Sequence, residues 1–146
     1  MAVNSKSLLI EVVNYLAKRD INVWVFGGWA EELNEMIEPR SHKDFDLFYF
    51  SQDFREVDDC MKNERIVEIA GKHFHHKRTF VYKDVLTELF LVEKDENGFY
   101  TNFWGKKKYR WPQNVKGESQ GIRVVTPIAL KQYRDGYTMI EDLRSE

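Results

Sequence analysis

Two spacings of apolar residues alternate along the first third of the chain. From Ser5 to Arg19, Leu8, Leu9, Val12, Val13 and Leu16 recur at the three-and-four interval of a helix with one buried side. Ser5 or Ser7 is placed to cap its start, and Lys18 and Arg19 suit its C-terminal end. Asp20 and Asn22 turn the chain into a short apolar run, Val23–Phe26, the length of a strand. Gly27 and Gly28 follow. An acidic segment then begins at Trp29, with Trp29, Leu33, Met36 and Ile37 on one side, and Pro39 ends it. A second apolar run carries Asp44 and Asp46 at its head and continues to Phe50. The pattern predicts strand, turn, helix, loop, strand.

The rest of the chain continues the alternation. Ser51 reads as an N-cap for a helix whose packed side holds Phe54, Val57, Cys60 and Met61. Ile66 to Ala70 reads as a short strand closed by Gly71. Phe80–Tyr82 and Val85–Val92 read as strands joined at Lys83-Asp84. A polar turn from Glu93 to Gly98 leads to aromatic segments at Phe99–Trp104 and Tyr109–Trp111, and Gly105-Lys-Lys-Lys between them reads as a solvated hairpin tip. Gln113 to Gly121 is expected to be a loop and Ile122–Val125 a strand. Thr126 caps a helix that has Pro127 in its first turn and runs from Ile128 to about Arg134, leaving a short tail from Gly136.

The chemistry begins with the two aspartates. Residues two apart in a strand share a face, so Asp44 and Asp46 project together, with Phe48 and Phe50 beyond them and Phe45, Leu47 and Tyr49 opposite. Both faces turn apolar after the acids, the mark of a strand buried on both sides. Carboxylates entering such a strand are costly, and two of like charge are worse. A divalent cation removes both costs, and oxygen ligands suit magnesium. The alternative for an isolated Asp-x-Asp is a loop end in open water. Gly27-Gly28 adds a second signal. Glycines between a strand and a helix let backbone N–H groups approach an anion such as phosphate; without a ligand they are a tight turn. Glu88 lies between Leu86 and Phe90 on an otherwise apolar strand face, where a buried acid needs a partner. An exposed glutamate on an edge strand is its alternative, and Glu93 is the second candidate position.

Gly27-Gly28-Trp29 followed by Arg40, His42, Asp44 and Asp46 resembles the nucleotidyltransferase superfamily, and within it the small aminoglycoside and lincosamide adenylyltransferases. The likeness continues weakly through Trp111-Pro112 and the Val-Thr-Pro at Thr126 to about Lys131. Two departures stand out: Glu32 where the family commonly has aspartate, and no glycine before Arg40. The resemblance implies an α/β (α+β) fold, a single domain over residues 1–146 with a mixed β-sheet flanked by helices. It implies transfer of a nucleoside monophosphate, AMP from ATP, to a hydroxyl of a small-molecule acceptor such as an aminoglycoside- or lincosamide-like antibiotic. Asp44, Asp46 and Glu88 would be the catalytic carboxylates and would hold Mg2+, with Glu88 as the third carboxylate on a neighbouring strand and a candidate general base. Gly27, Gly28, Arg40, His42 and Lys131 would bind the nucleotide: the glycines and the Arg40 fork at the phosphates, His42 ordering the loop, Lys131 reaching a phosphate. A homodimer is a further implication, because the resembled enzymes can complete their sites between subunits.

Composition sets bounds on these readings. A chain of 146 residues is long enough for one domain with a real core. A net charge of −2 offers no general attraction to nucleic acid or membrane, which weighs against both as partners. No apolar run is long enough to span a bilayer, and the N-terminal apolar residues are interrupted by Glu11 and Asn14, unlike a signal peptide. A cytoplasmic protein is the expectation. Cys60, the single cysteine, reads as a packing residue. His73, His75 and His76 have no cysteine near them to support a structural zinc site. The acids of the segment after Gly28, Glu31, Glu32, Glu35 and Glu38, read as a solvated face, the alternative being contact with a cationic acceptor. Two other function classes stay open: a catalytically inactive nucleotide- or partner-binding module of the same fold, and RNA binding through Lys106 to Trp111.

Overall fold

The computed structural model describes residues 4–103, 107–136 and 139–142. The expected first helix forms as α1, Lys6–Ala17, with the Ser5 hydroxyl oxygen accepting from the Leu8 N–H and Leu9, Val12, Val13 and Leu16 buried. β1 is Val23–Phe26, α2 is Gly27–Leu33 and β2 is Asp44–Phe50. α2 is shorter than the sequence pattern predicts, ending well before Pro39. The Asn34 side chain donates to Ala30 O and Val125 O, and Glu35 adopts a φ of +58°, so the chain leaves the helix there.

α3, Arg55–Asn63, starts four residues after Ser51, which is not its cap; the Asp53 carboxylate accepts from the Arg55 N–H instead. Ile66 to Ala70 makes only a single bridge, Glu68 to Phe80, before a 3-10 turn at Ala70–Lys72. β3, Lys77–Tyr82, and β4, Val85–Asp95, form the expected hairpin, with positive φ at both Lys83 and Asp84. β5 is Gly98–Thr101 and β6 is Lys107–Arg110. Gly105 and Lys106 of the expected hairpin tip lie outside the described residues. The segment read as a loop contains β7, Lys116–Ser119, paired antiparallel with β8, Ile122–Val125. α4, Pro127–Arg134, starts at the predicted cap, where Thr126 Oγ1 accepts from the Ala129 N–H. The tail contributes β9, Met139–Asp142, against β6.

The strands form one mixed sheet in the order β7-β8-β1-β2-β4-β5-β6-β9, with β3 also paired to β4. β1 runs antiparallel to β2, and β2 runs parallel to β4 over its whole length. One face of β2 presents Phe45, Leu47 and Tyr49, all buried. α3 lies against it, with Phe54 at the N-cap of the helix stacked on Tyr49 (5.8 Å between centroids). α1 joins that layer through Tyr15, whose hydroxyl donates to Glu64 at 3.1 Å, and Arg19 just after the helix pairs with the same oxygen at 2.7 Å. On the other face Phe26 stacks on Phe48 at 4.3 Å, with Phe90, Trp111 and Tyr133 around them. Fully buried Leu, Val and Phe side chains at this density give the sheet the rigidity needed to hold charged groups in fixed positions.

Candidate active site

The register of β2 and β4 assembles the site. Asp46 stands beside Glu88 on the neighbouring parallel strand, and Asp44 is two residues back on the same face. Asp44, Asp46 and Glu88 offer carboxylate oxygens that all lie within 4.8 Å of one another. Among the described residues this is the one group of three or more potential metal ligands. Glu88 is buried, as its place on an apolar face predicts, and β4 is not an edge strand at that point, being paired with β2 and β3.

The two aspartates, partly out of water beside a third carboxylate, resist ionising together. Burial, then the charges of Asp44 and Glu88, push Asp46 up to about 7. Asp44 is raised as well, by burial first and by Glu88, while Lys72, Lys77 and Lys43 oppose the rise. Lys77 Nζ lies 2.5 Å from Glu88 Oε2 and forms an ion pair with it. The Thr79 hydroxyl, directly across the β3–β4 ladder from Glu88, is buried without a hydrogen-bond partner. An all-oxygen donor set and crowded negative charge fit a hard divalent cation such as Mg2+.

The glycines have separate tasks. Gly27 follows Phe26, whose register partner is Asp46, and takes a φ of +69°. A Cβ there would sit 2.6 Å from Asp46 Oδ2. Gly28 makes room for the loop before β2: a Cβ would lie 2.7 Å from His42 Nδ1 and 3.4 Å from Arg40 Nη2. His42 packs on Trp29 (4.5 Å between rings), and its Nε2 lies 2.8 Å from Glu32 Oε1. The same oxygen accepts from the Arg40 N–H at 3.0 Å. Glu32, one of the two departures from the family pattern, therefore ties α2 to the Arg40–His42 loop. Glu31 likewise has a partner in its own chain, Arg134 at 3.1 Å.

The structure thus gathers Gly27, Gly28, Arg40, His42, Asp44, Asp46 and Glu88 around the end of β1 and the start of β2. Lys131 lies apart from this set in its interactions: it is exposed on α4 and donates to Asp135 at 2.7 Å, one turn away. The histidines diverge. His73 pairs with Glu68 and His75 with Glu93, while His76 stacks on Phe74. Sequence reasoning passed over Lys77, a lysine just ahead of an apolar run, because only the strand register reveals what it faces. It also passed over Tyr133, whose ring packs on Trp111 and Phe26 and whose hydroxyl is raised by burial, by Tyr109 and by Asp46.

Comparison with known proteins adds a family and a fold. The model of the aminoglycoside-2''-adenylyltransferase family matches residues 8–145. No curated protein sequence matches at a significant level. Among solved structures, the lincosamide antibiotic adenylyltransferase LnuA bound to lincomycin superposes with a TM-score of 0.71 at 14% identity, covering 94% of this chain and 90% of that one. ANT(2'')-Ia in complex with adenylyl-2''-tobramycin gives 0.63 at 16% identity, over 90% of this chain and 74% of its own. A putative nucleotidyltransferase from Thermotoga maritima gives 0.53 at 14% identity, over 92% and 88%. At these identities the likenesses establish the fold, a mixed sheet with flanking helices of the nucleotidyltransferase type. Among the described residues no helix is long and apolar enough to cross a membrane.

Proposed function

The chain belongs to the aminoglycoside-2''-adenylyltransferase family, and from that premise we propose that it transfers AMP from ATP to a hydroxyl of a small antibiotic-like acceptor, with Mg2+ held by Asp44, Asp46 and Glu88. It is an enzyme of the nucleotidyltransferase type. The observation that carries the finer reading is the carboxylate triad, whose oxygens lie within 4.8 Å of one another at the Gly27 turn. When bound, the metal would neutralise triphosphate charge and fix its orientation.

The chain's own groups supply the rest. Gly27 and Gly28 leave the backbone open to the phosphates. Arg40 lies over Gly28, where its guanidinium can pair with phosphate oxygens. His42 and Glu32 hold that loop in place. Glu88 takes the proton from the acceptor hydroxyl as its oxygen bonds to the α-phosphorus. The bond from that phosphorus to the β-phosphate oxygen breaks, and pyrophosphate leaves with the electron pair. Lys131 would have to leave Asp135 to serve the nucleotide, a rotation open to a surface lysine. The acceptor is of the class bound by the similar structures, an aminoglycoside or a lincosamide. A homodimer and a cytoplasmic location accord with this reading.

The test is incubation of the purified protein with ATP, Mg2+ and a panel of aminoglycosides and lincosamides. Pyrophosphate is followed continuously and the acceptor is examined by mass spectrometry. The expected result is acceptor-dependent pyrophosphate and an acceptor heavier by one AMP, with turnover reduced about 1,000-fold or more in Asp46→Asn. Turnover retained in that variant would overturn the role of the triad. No adduct on any acceptor would favour a nucleotide- or partner-binding module instead.

A further inference from the structure

β3 turns Lys77 and Thr79 to the face of β4 that carries Glu88. Thr79 is the direct cross-strand partner of Glu88 and Lys77 that of Phe90, so Lys77 reaches Glu88 along the diagonal. Its ammonium lies 2.5 Å from Glu88 Oε2 and 5.4 Å from the centre of the Phe90 ring. Little of either charged side chain meets solvent: 20% of Lys77 and 11% of Glu88. The neighbouring Arg78 points to the other face, where it is held by both oxygens of Asp58, at 2.7 and 3.1 Å. That pairing fixes the rotation of β3 and with it the aim of Lys77.

Resting on the reading of the triad as the metal centre, we propose that Lys77 is a positioning residue: a resident counter-ion that holds Glu88 while the site is empty, and exchanges Glu88 for a triphosphate oxygen when the metal arrives with its nucleotide. The argument is one of charge. Three carboxylates outnumber the one ammonium in contact with them, Lys43 and Lys72 acting only on Asp44 from farther off, and the surplus attracts a divalent cation. A bare cation that takes Glu88 Oε2 must displace the ammonium, which then lies beside a second positive charge with no anion of its own. A metal–triphosphate complex brings anionic oxygens with it, so the displaced ammonium gains a partner. Lys77 therefore penalises the bare metal and favours the metal–nucleotide complex. It couples metal entry to nucleotide entry and keeps Glu88 aimed at Asp46 until both are present.

The experiment compares Mn2+ binding to wild type and Lys77→Met by calorimetry, with the metal alone and with a non-hydrolysable ATP analogue. The expected result is a pair of opposite shifts. Mn2+ alone binds about tenfold tighter to Lys77→Met, and the Mn2+–analogue complex binds about tenfold weaker. A merely structural lysine would weaken both, and that outcome, or an unchanged affinity for Mn2+ alone, overturns the proposal. If Lys77→Met fails to fold, the wild type still decides. The NMR signal of the Lys77 ε-methylene, assigned through Lys77→Arg, should move on adding Mg2+ with the analogue and stay in place with the analogue in EDTA. A signal that stays in place under both conditions overturns the exchange. The failure of the metal-centre reading looks different: wild type and Asp46→Asn would then bind Mn2+ equally.

Discussion

The two ends of one sheet face handle charge in opposite ways. The outward row of β2 runs from Asp44 and Asp46 through Phe48 to Phe50. At its first end, three carboxylates crowd within 4.8 Å and one of them has an ion-pair partner, Lys77. At its last end the charges are positive and spread over rings. Lys116 Nζ lies 4.5 Å from the centre of Phe50, 4.9 Å from Trp24 and 5.4 Å from Phe99. Lys94 lies over Phe99 and Arg123 over Trp24. Each such contact is worth about 0.5–1 kcal/mol and leaves the ammonium reachable by water. The cationic end is compensated by its own chain; the acidic end is compensated only in part. A fold that keeps uncompensated charge in its sheet, next to strands packed tightly enough to have excluded it, holds a place for a charge that arrives from outside.

Gly27→Ala is the strongest way to break the contrast without removing a charge. The new methyl would sit 2.6 Å from Asp46 Oδ2, and the backbone would still need a φ of +69°. The carboxylate must move, and the strained turn costs about 1–2 kcal/mol. Turnover should fall about 100-fold or more while circular dichroism keeps its native form. A variant that turns over within threefold of wild type would mean that the position of Asp46 does not matter.

Proton linkage sharpens the contrast at the next scale. Asp46 titrates near 7 in the fold, well above its unfolded value of 3.8, so the folded state holds its proton more tightly. Its stabilising contribution is complete below pH 3.8 and is lost as pH rises through 7. Carboxylates shifted the other way, such as Glu32 and Glu64, gain their contribution as pH rises through their unfolded value of 4.5 and add little to the slope above pH 5. His76, lowered by burial, works in the opposite sense up to 6.5. Thermal unfolding in EDTA should therefore show Tm falling by about 4 °C or more between pH 5 and 8. Mg2+ should restore it at pH 8, and Asp46→Asn should remove most of the slope, the remainder belonging to Asp44. A wild type with no fall in Tm across that window, or the same fall in Asp46→Asn, would show that the acids are not in conflict.

How much of this was visible in the chain follows the same divide between local and long-range causes. Helix α1 and its Ser5 cap, the strands Val23–Phe26 and Asp44–Phe50, and the Lys83-Asp84 turn are written in short-range spacing. The end of α2 was not, because Asn34 bonds to Val125 O, far along the chain. Nor was β7: Lys116–Ser119 has no apolar alternation and is a strand only through its backbone pairing with β8. At the site, Asp44 and Asp46 share a face by strand period alone. That Glu88 stands beside Asp46 depends on a parallel register, which no local pattern encodes; the family resemblance supplied the expectation and the sheet meets it. Lys77 had neither source. Its role depends on a diagonal across an antiparallel pair, where one residue of slip would turn it to the other face.

The smallest effect is expected at the cationic end, and it is the one that makes the comparison fair. Lys116→Met keeps an unbranched apolar stem over Trp24, Phe50 and Phe99 and removes only the ammonium. Ring attraction is lost, and part of the loss is returned by burying a methyl group where a hydrated charge stood. The net change should lie within about 1 kcal/mol of zero. Denaturant unfolding should show a midpoint close to wild type, and turnover should be unchanged. Lys77→Met makes the same chemical change at the other end of the face, and there it should alter metal and nucleotide affinity in opposite directions. If the two lysines behaved alike, position along the face would not matter, and the surplus of acid at Asp44, Asp46 and Glu88 would need an explanation other than a ligand.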